Sequence, residues 1–148
     1  MANIKGSHTV EIDAPIEEVF AVASDIGNAP RWQEAMDSAK VLETGPDGRP
    51  SLVETSADAG VQKVKVTLRF TYDEPTAVRW ERVKGDLKTM HGSWTLEDLG
   101  GTRTRATYEM DGDPGRMLGM LIRGPVEASL RGKLIDGAAN GLKKDIEG

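Results

Sequence analysis

Chemistry in this chain would have to start from three side chains, His8, Glu54 and Tyr108. An imidazole changes charge near neutral pH, a carboxylate removed from water takes up a proton more readily, and a phenol both donates and accepts hydrogen bonds. His8 keeps register with Ile4, Val10 and Ile12 in an alternating segment, which predicts that it points to the apolar face. There it would act as a general acid or base, or orient a ligand oxygen; the plain alternative is a hydrogen-bonded histidine near a strand end. Glu54 follows two apolar residues, Leu52 and Val53, so its parity is open; turned inward it would need a partner or a raised pKa. Tyr108 shares a face with Ala106 and Met110 and would offer its phenol to a ligand carbonyl, or simply pack. No two of the three are neighbours by sequence logic. His91 has the opposite parity, beside Thr89 and Ser93, and is expected in solvent. Arg82 continues the parity of Val78 and Trp80, so it would meet an acidic ligand head at a cavity rim or end a solvated strand.

Other chemistries lack their residues. The chain has no cysteine, which excludes disulfides, thiolate metal sites and cysteine nucleophiles, and fits a cytoplasmic setting. Two histidines would build a zinc site only with carboxylate help, and no metal is expected. No Gly-rich phosphate loop, nucleophile elbow or His-Glu-x-x-His run occurs, so no cofactor is expected. The formal net charge is −5 with Lys and Arg scattered, which argues against a nucleic-acid partner. The first residues, Met1 to Gly6, show no basic start followed by an apolar run, and no stretch approaches the roughly 20 apolar residues of a membrane span.

The elements that would position these groups are legible from periodicity. Residues 4–13 alternate as a half-buried strand. Ala14-Pro15-Ile16-Glu17-Glu18 opens a helix with Ile16, Val19, Phe20 and Ala23 on its buried stripe, and Asp25 opens a second short helix that runs out by Pro30. Strands are predicted at 38–44, 51–57, 62–72, 77–84, 87–97 and 102–111, separated by turn-forming clusters such as Gly45-Pro46-Asp47-Gly48 and Gly100-Gly101. Connections this short favour antiparallel pairing in series. Val64, Val66, Leu68, Phe70 and Tyr72 fall on one face, as do Val78 with Trp80, Met90 with Gly92, Trp94 and Leu96, and Ala106 with Tyr108 and Met110; the other face is polar. Asp113-Pro114 then starts a helical segment, broken at Gly124-Pro125, with a main helix from about 125 to 146. At 148 residues the chain is expected to form one domain, 1–148, with an adequate core.

Four stretches stand out within this order: Val10 to Phe20; Ser24-Asp25-Ile26 with Pro30-Arg31-Trp32; Tyr72-Asp73-Glu74-Pro75 with Val78-Arg79-Trp80; and Gly101-Thr102-Arg103-Thr104 with Gly141-Leu142-Lys143-Lys144. With them the chain resembles the START-related helix-grip superfamily, which includes polyketide cyclases/dehydrases and lipid-transfer domains. The resemblance covers essentially the whole chain. It implies an α+β helix-grip fold: a seven-stranded curved antiparallel sheet wrapped around a long C-terminal helix, two short helices after the first strand, and a cavity between sheet and helix. It does not imply one activity.

Within such a cavity the expected ligand-binding set is Trp80, Met90, Gly92, Trp94, Tyr108 and Met110 from strands, with Met117, Met120 and Leu121 from the C-terminal segment. Methionines adapt to irregular shapes, and Gly92 would leave a gap or mark a bulge. Three functions compete: binding or transport of a small hydrophobic, lipid- or polyketide-like ligand, with the Asp113–Pro125 region as gate; a polyketide cyclase/dehydratase-type enzyme; and a protein-interaction module with a filled core, a homodimer being its simplest form as against a monomer.

Overall fold

A computed structural model describes residues 3–60 and 62–148; Met1 and Ala2, the first two residues of the Met1–Gly6 segment that bears on a leader, lie outside it. The strands are β1 (Ile4–Ile12), β2 (Met36–Thr44), β3 (Pro50–Asp58), β4 (Lys63–Asp73), β5 (Ala77–Gly85), β6 (Thr89–Asp98) and β7 (Thr104–Asp113). They form one antiparallel sheet in the order β1-β7-β6-β5-β4-β3-β2. The strands from β2 to β7 pair with their chain neighbours, as short turns require, and β1 closes on β7. The expected strands are all present, each displaced by a residue or two at its ends. β2 is an edge strand, largely exposed and broken by three register shifts, irregularities of the kind that discourage further pairing.

Between β1 and β2 lie helix α1 (Ile16–Ala23), with Pro15 just before it, and a 3-10 turn (Ile26–Arg31) that runs through Pro30 instead of stopping at it. After β7 comes α2 (Gly115–Leu121), whose start is tied by a Gly115 N–H bond to the Asp113 carboxylate at 2.9 Å. The chain reverses at Gly124, whose φ of 63° suits glycine. It continues as α3 (Pro125–Arg131), a π-helical turn (Gly132–Asp136) and α4 (Gly137–Glu147). The single C-terminal helix expected from the sequence therefore contains a π turn, which its periodicity does not announce.

This C-terminal run packs over β1 and β7. Gly6, on the inward face of β1, makes that approach possible: a Cβ there would lie 3.3 Å from Ile135 Cδ1. At the other end of the run, Gly141 meets the backbone of Trp32, and a Cβ would fall 2.1 Å from the Trp32 carbonyl oxygen. Because the helix lies toward one end of the sheet, the apolar face of β3–β6 is left partly uncovered on its inner side.

One close approach organises that face. Trp80 (β5) is the cross-strand partner of Gly92 (β6), which in turn pairs with Met110 (β7). A Cβ on Gly92 would sit 2.6 Å from Trp80 Cζ2 and 2.6 Å from the Glu109 carbonyl oxygen. Without that atom the indole lies across β6, and its ring reaches to 5.5 Å of Tyr108 on β7. The gap expected at Gly92 is thus occupied by Trp80 itself.

Gly92→Ala and Gly141→Ala should each destabilise the fold by about 1–3 kcal/mol or more, the usual cost of overpacking, because backbone atoms on the opposing side cannot rotate away. Urea denaturation checks this, with Gly132→Ala, where a Cβ meets nothing within 4 Å, as the neutral control.

Candidate functional site

The uncovered part of the face holds a cavity of about 100 Å³, between β3–β7, the 3-10 turn and the start of the C-terminal run. Its wall is a continuous chain of aromatic contacts. Trp32 meets Trp94 edge-on at 6.0 Å, Trp94 meets Tyr108 at 4.8 Å, Tyr108 meets Trp80 at 5.5 Å, and Trp80 meets Phe70 at 5.9 Å. Such offset and edge contacts are the favourable geometries for rings and hold the wall rigid. Aliphatic residues complete the lining, among them Val64, Val66, Leu68, Leu130 and Leu134, with Met36, Met90 and Met110 supplying adaptable surface.

Four polar side chains belong to this lining: Gln33, Thr55, Asp58 and Tyr108. Thr55 is already committed, donating to the Val66 carbonyl at 2.9 Å. Asp58 accepts from Gly60 N–H at 2.8 Å and lies 3.7 Å from Lys133 of the π turn. The Gly60 amide and then the lysine charge hold its carboxyl below the usual carboxylate range. Tyr108 is 4% exposed and Gln33 8%. Burial pushes the Tyr108 phenol well above its ordinary value, and the Gln33 amide beside it eases the shift. Gln33 is in place because Gly141 lets the Trp32 backbone press against α4, which anchors the 3-10 turn over the cavity. The Trp80 Nε1–H is buried with no hydrogen-bond partner among the described residues, which is unusual for a native donor.

Several sequence-based placements need correction. Trp80, Met90, Trp94, Tyr108 and Met110 do line the cavity. Met117, Met120 and Leu121 do not: they project outward, 83%, 58% and 53% exposed, and Leu118 of α2 and Ile122 just past it turn inward instead. The spacing of 117, 120 and 121 marks one face of a helix, but not which face meets the sheet. Gly92 is covered by the Trp80 indole and offers no lining surface. His8 has the expected inward parity but faces the π turn, its Nδ1 3.6 Å from the Asp136 carboxylate, and it remains about one-third exposed. Val53 and Thr55 point inward, so Glu54 points away from the cavity. Arg82 curls back onto its own hairpin, donating to the Gly85 carbonyl at 3.2 Å. His91 lies on the outer face, as its parity predicts, between cross-strand neighbours Glu81 and Asp111. Gln33 is not among the residues the sequence singles out; its only signal there is a polar residue directly after the Trp32 that closes the 3-10 turn.

The family described as "Polyketide cyclase / dehydrase and lipid transport" matches residues 3–147. The chain belongs to that family. Among curated proteins none matches it. Among solved structures, this family member is similar to a START superfamily protein from Mycobacterium smegmatis, with a TM-score of 0.82, 22% identity and 97% of each chain covered. A Thermus thermophilus protein is similar at a TM-score of 0.82 and 19% identity, again over 97% of each chain. The Zhui aromatase/cyclase of Streptomyces sp. R1128 is similar at a TM-score of 0.76 and 17% identity, over 97% of this chain and 93% of that one. These likenesses establish the START/helix-grip architecture. Within the described residues no helix is long and apolar enough to cross a membrane.

The lowered Asp58 pKa has a definite sign. Its stabilising contribution is present above the unfolded-state value of about 3.9 and is lost as pH falls through the lower folded-state value. Asp58→Ala should therefore lower the Tm at neutral pH, and the difference from the parent protein should shrink below about pH 4. Thermal melts across the acid range check this.

Proposed function

We propose that this family member binds a compact, largely apolar ligand carrying one hydrogen-bonding group, in the cavity between the sheet and the C-terminal helix. The observation that carries the reading is an aromatic-walled cavity in which Tyr108 and Gln33 are the polar groups not committed to the backbone or to an ion pair. Ligand sites commonly combine an apolar lining with a few placed polar groups. The unpartnered Trp80 N–H, on a ring that forms part of the wall, adds a reason for the ligand to bring an acceptor such as a carbonyl.

Size narrows the class. A cavity of about 150 Å³ accommodates a benzene-sized guest, and this one is about 100 Å³. A ring-sized ligand needs only side-chain adjustment by Met36, Met90 or Leu134. A long acyl chain or a polycyclic skeleton would require the roof, Leu118 of α2 and Ile122 just past it, to move outward.

Binding is favoured over acid–base catalysis by the lining's two ionisable groups. Asp58 is held as a carboxylate and Tyr108 as a phenol, so neither is poised to exchange a proton near neutral pH. His8 and Glu54, which a cyclase or dehydratase mechanism would have recruited, sit elsewhere.

The test is native mass spectrometry of gently purified protein, followed by organic extraction, with titration of acetophenone against ethylbenzene as a matched pair. A removable apolar adduct, or tighter binding of the ketone, is expected. Tyr108→Phe and Gln33→Leu should each weaken acetophenone by about three- to tenfold, the worth of one hydrogen bond, and leave ethylbenzene unchanged. Ala57→Leu places an isobutyl group in the cavity and should abolish both titrations while keeping the fold. A bare mass, no binding of either probe, and no effect of Ala57→Leu would sink the reading.

A further inference from the structure

The outward face of α2 is chemically at odds with the surface around it. Of its seven residues only Leu118 and Gly119 are buried. Met117, Met120 and Leu121 project into solvent at 83%, 58% and 53% exposure, and Val126, just past the Gly124 turn, adds to them at 39%. Scattered exposed apolar residues are ordinary, but four within ten positions are a concentrated apolar segment, and such patches mark contact surfaces. The same segment carries two exposed cations, Arg116 and Arg123, and exposed Lys88 lies alongside, its Cβ approaching Gly115. Among the described residues none of the three is in an ion pair. Of the carboxylates close to them in sequence, Glu127 is paired with Arg131, while Asp113 and Asp86 are turned to the Gly115 and Lys65 amides and form no ion pair with the three cations. On a chain of net charge −5, a ridge of methionine and leucine edged by unpaired cations is a local inversion of character.

We propose that α2 docks on an anionic lipid surface, with Met117, Met120 and Leu121 dipping into the headgroup boundary and Arg116, Arg123 and Lys88 meeting lipid phosphates. Charge complementarity selects this occupant. Apolar side chains rimmed by cations are what an interfacial helix presents to anionic lipid, and neither part of the patch holds alone. A second copy of this chain would bring the same cations against themselves across a two-fold contact, which disfavours self-association through this face. The position of α2 gives the contact a consequence. Leu118 on its inward side and Ile122 just past its end roof the cavity, so an apolar medium that draws the outer face away exposes the cavity to lipid rather than water. The proposal goes beyond the cavity reading and does not rest on it, because docking requires no bound ligand.

Cosedimentation of the full chain with vesicles of phosphatidylcholine plus phosphatidylglycerol, and with phosphatidylcholine alone, tests the proposal. Binding is expected on the anionic vesicles and should weaken with added salt. Arg116→Ala with Arg123→Ala should weaken it about 25-fold, near fivefold per cation. Met117→Ser with Met120→Ser should abolish it, while the Tm stays within a degree or two (roughly the scale of an exposed substitution). Both methionines are solvent-exposed, so a folding defect does not confound the result. Absence of binding to anionic vesicles overturns the proposal, as does binding that the methionine variant leaves unchanged. A concentration-dependent dimer in vesicle-free solution, abolished by the same variant, would also overturn it and assign the face to a second copy.

Discussion

Trp80 crosses β6 where Gly92 has no side chain, and most of the interior follows from that crossing. The indole needs the space that a Cβ would fill, both against its own ring and against the Glu109 carbonyl. Once seated, it joins Phe70 on β4 to Tyr108 on β7, and Tyr108 passes the contact to Trp94 and then to Trp32 on the 3-10 turn. Five rings from four strands and a turn become one wall. A wall of interlocked rings resists collapse, so the space beside it persists as a cavity instead of closing as ordinary core.

The C-terminal helix is held by the complementary device, glycines that admit close contact. Gly6 brings β1 up to Ile135 and Gly141 brings Trp32 up to α4. These two contacts place the helix over β1 and β7 and leave the inner face of β3–β6 to be covered by α2 with Ile122, and by Leu130 at the end of α3 and Leu134 of the π turn. Coverage there is thin: α2 commits Leu118 inward and spends Met117, Met120 and Leu121 on its outer side. Among the described residues, the most exposed apolar side chains and the roof of the cavity therefore belong to the same short segment. Membership of the "Polyketide cyclase / dehydrase and lipid transport" family fits an architecture of this kind without choosing among its activities.

Polar chemistry is sparse in the cavity and mostly spoken for. Thr55 satisfies Val66, Asp58 satisfies Gly60 and Lys133, and the phenol of Tyr108 stays protonated because burial opposes its charge. What remains is suited to hydrogen bonding more than to proton transfer. His8, the most suggestive residue in the sequence, is diverted to Asp136 by the π turn that brings this carboxylate opposite β1.

Period-two alternation and turn chemistry were sufficient to place all seven strands, and the faces of β1 and of β4–β7, because burial on one side of a pleated sheet imposes that pattern residue by residue. β2 is exposed throughout most of its length and carries no such pattern, and in β3 the adjacent Leu52 and Val53 left the parity of Glu54 open. The inward parity of Trp80, Trp94, Tyr108 and Met110 was legible for the same reason, and so was the outward parity of His91. Parity says which face a side chain takes, not which element lies opposite, and that is where the sequence stopped. It could not assign His8 to a carboxylate 128 positions away, or show that Gly92 is vacant so that Trp80 can fill it. For α2 the limit was sharper: Met117, Met120 and Leu121 define a stripe, but Leu118 within the helix and Ile122 just past its end are apolar as well and oppose them. Only tertiary packing decides which stripe is buried, because the free energy of burial depends on the surface that comes to meet it.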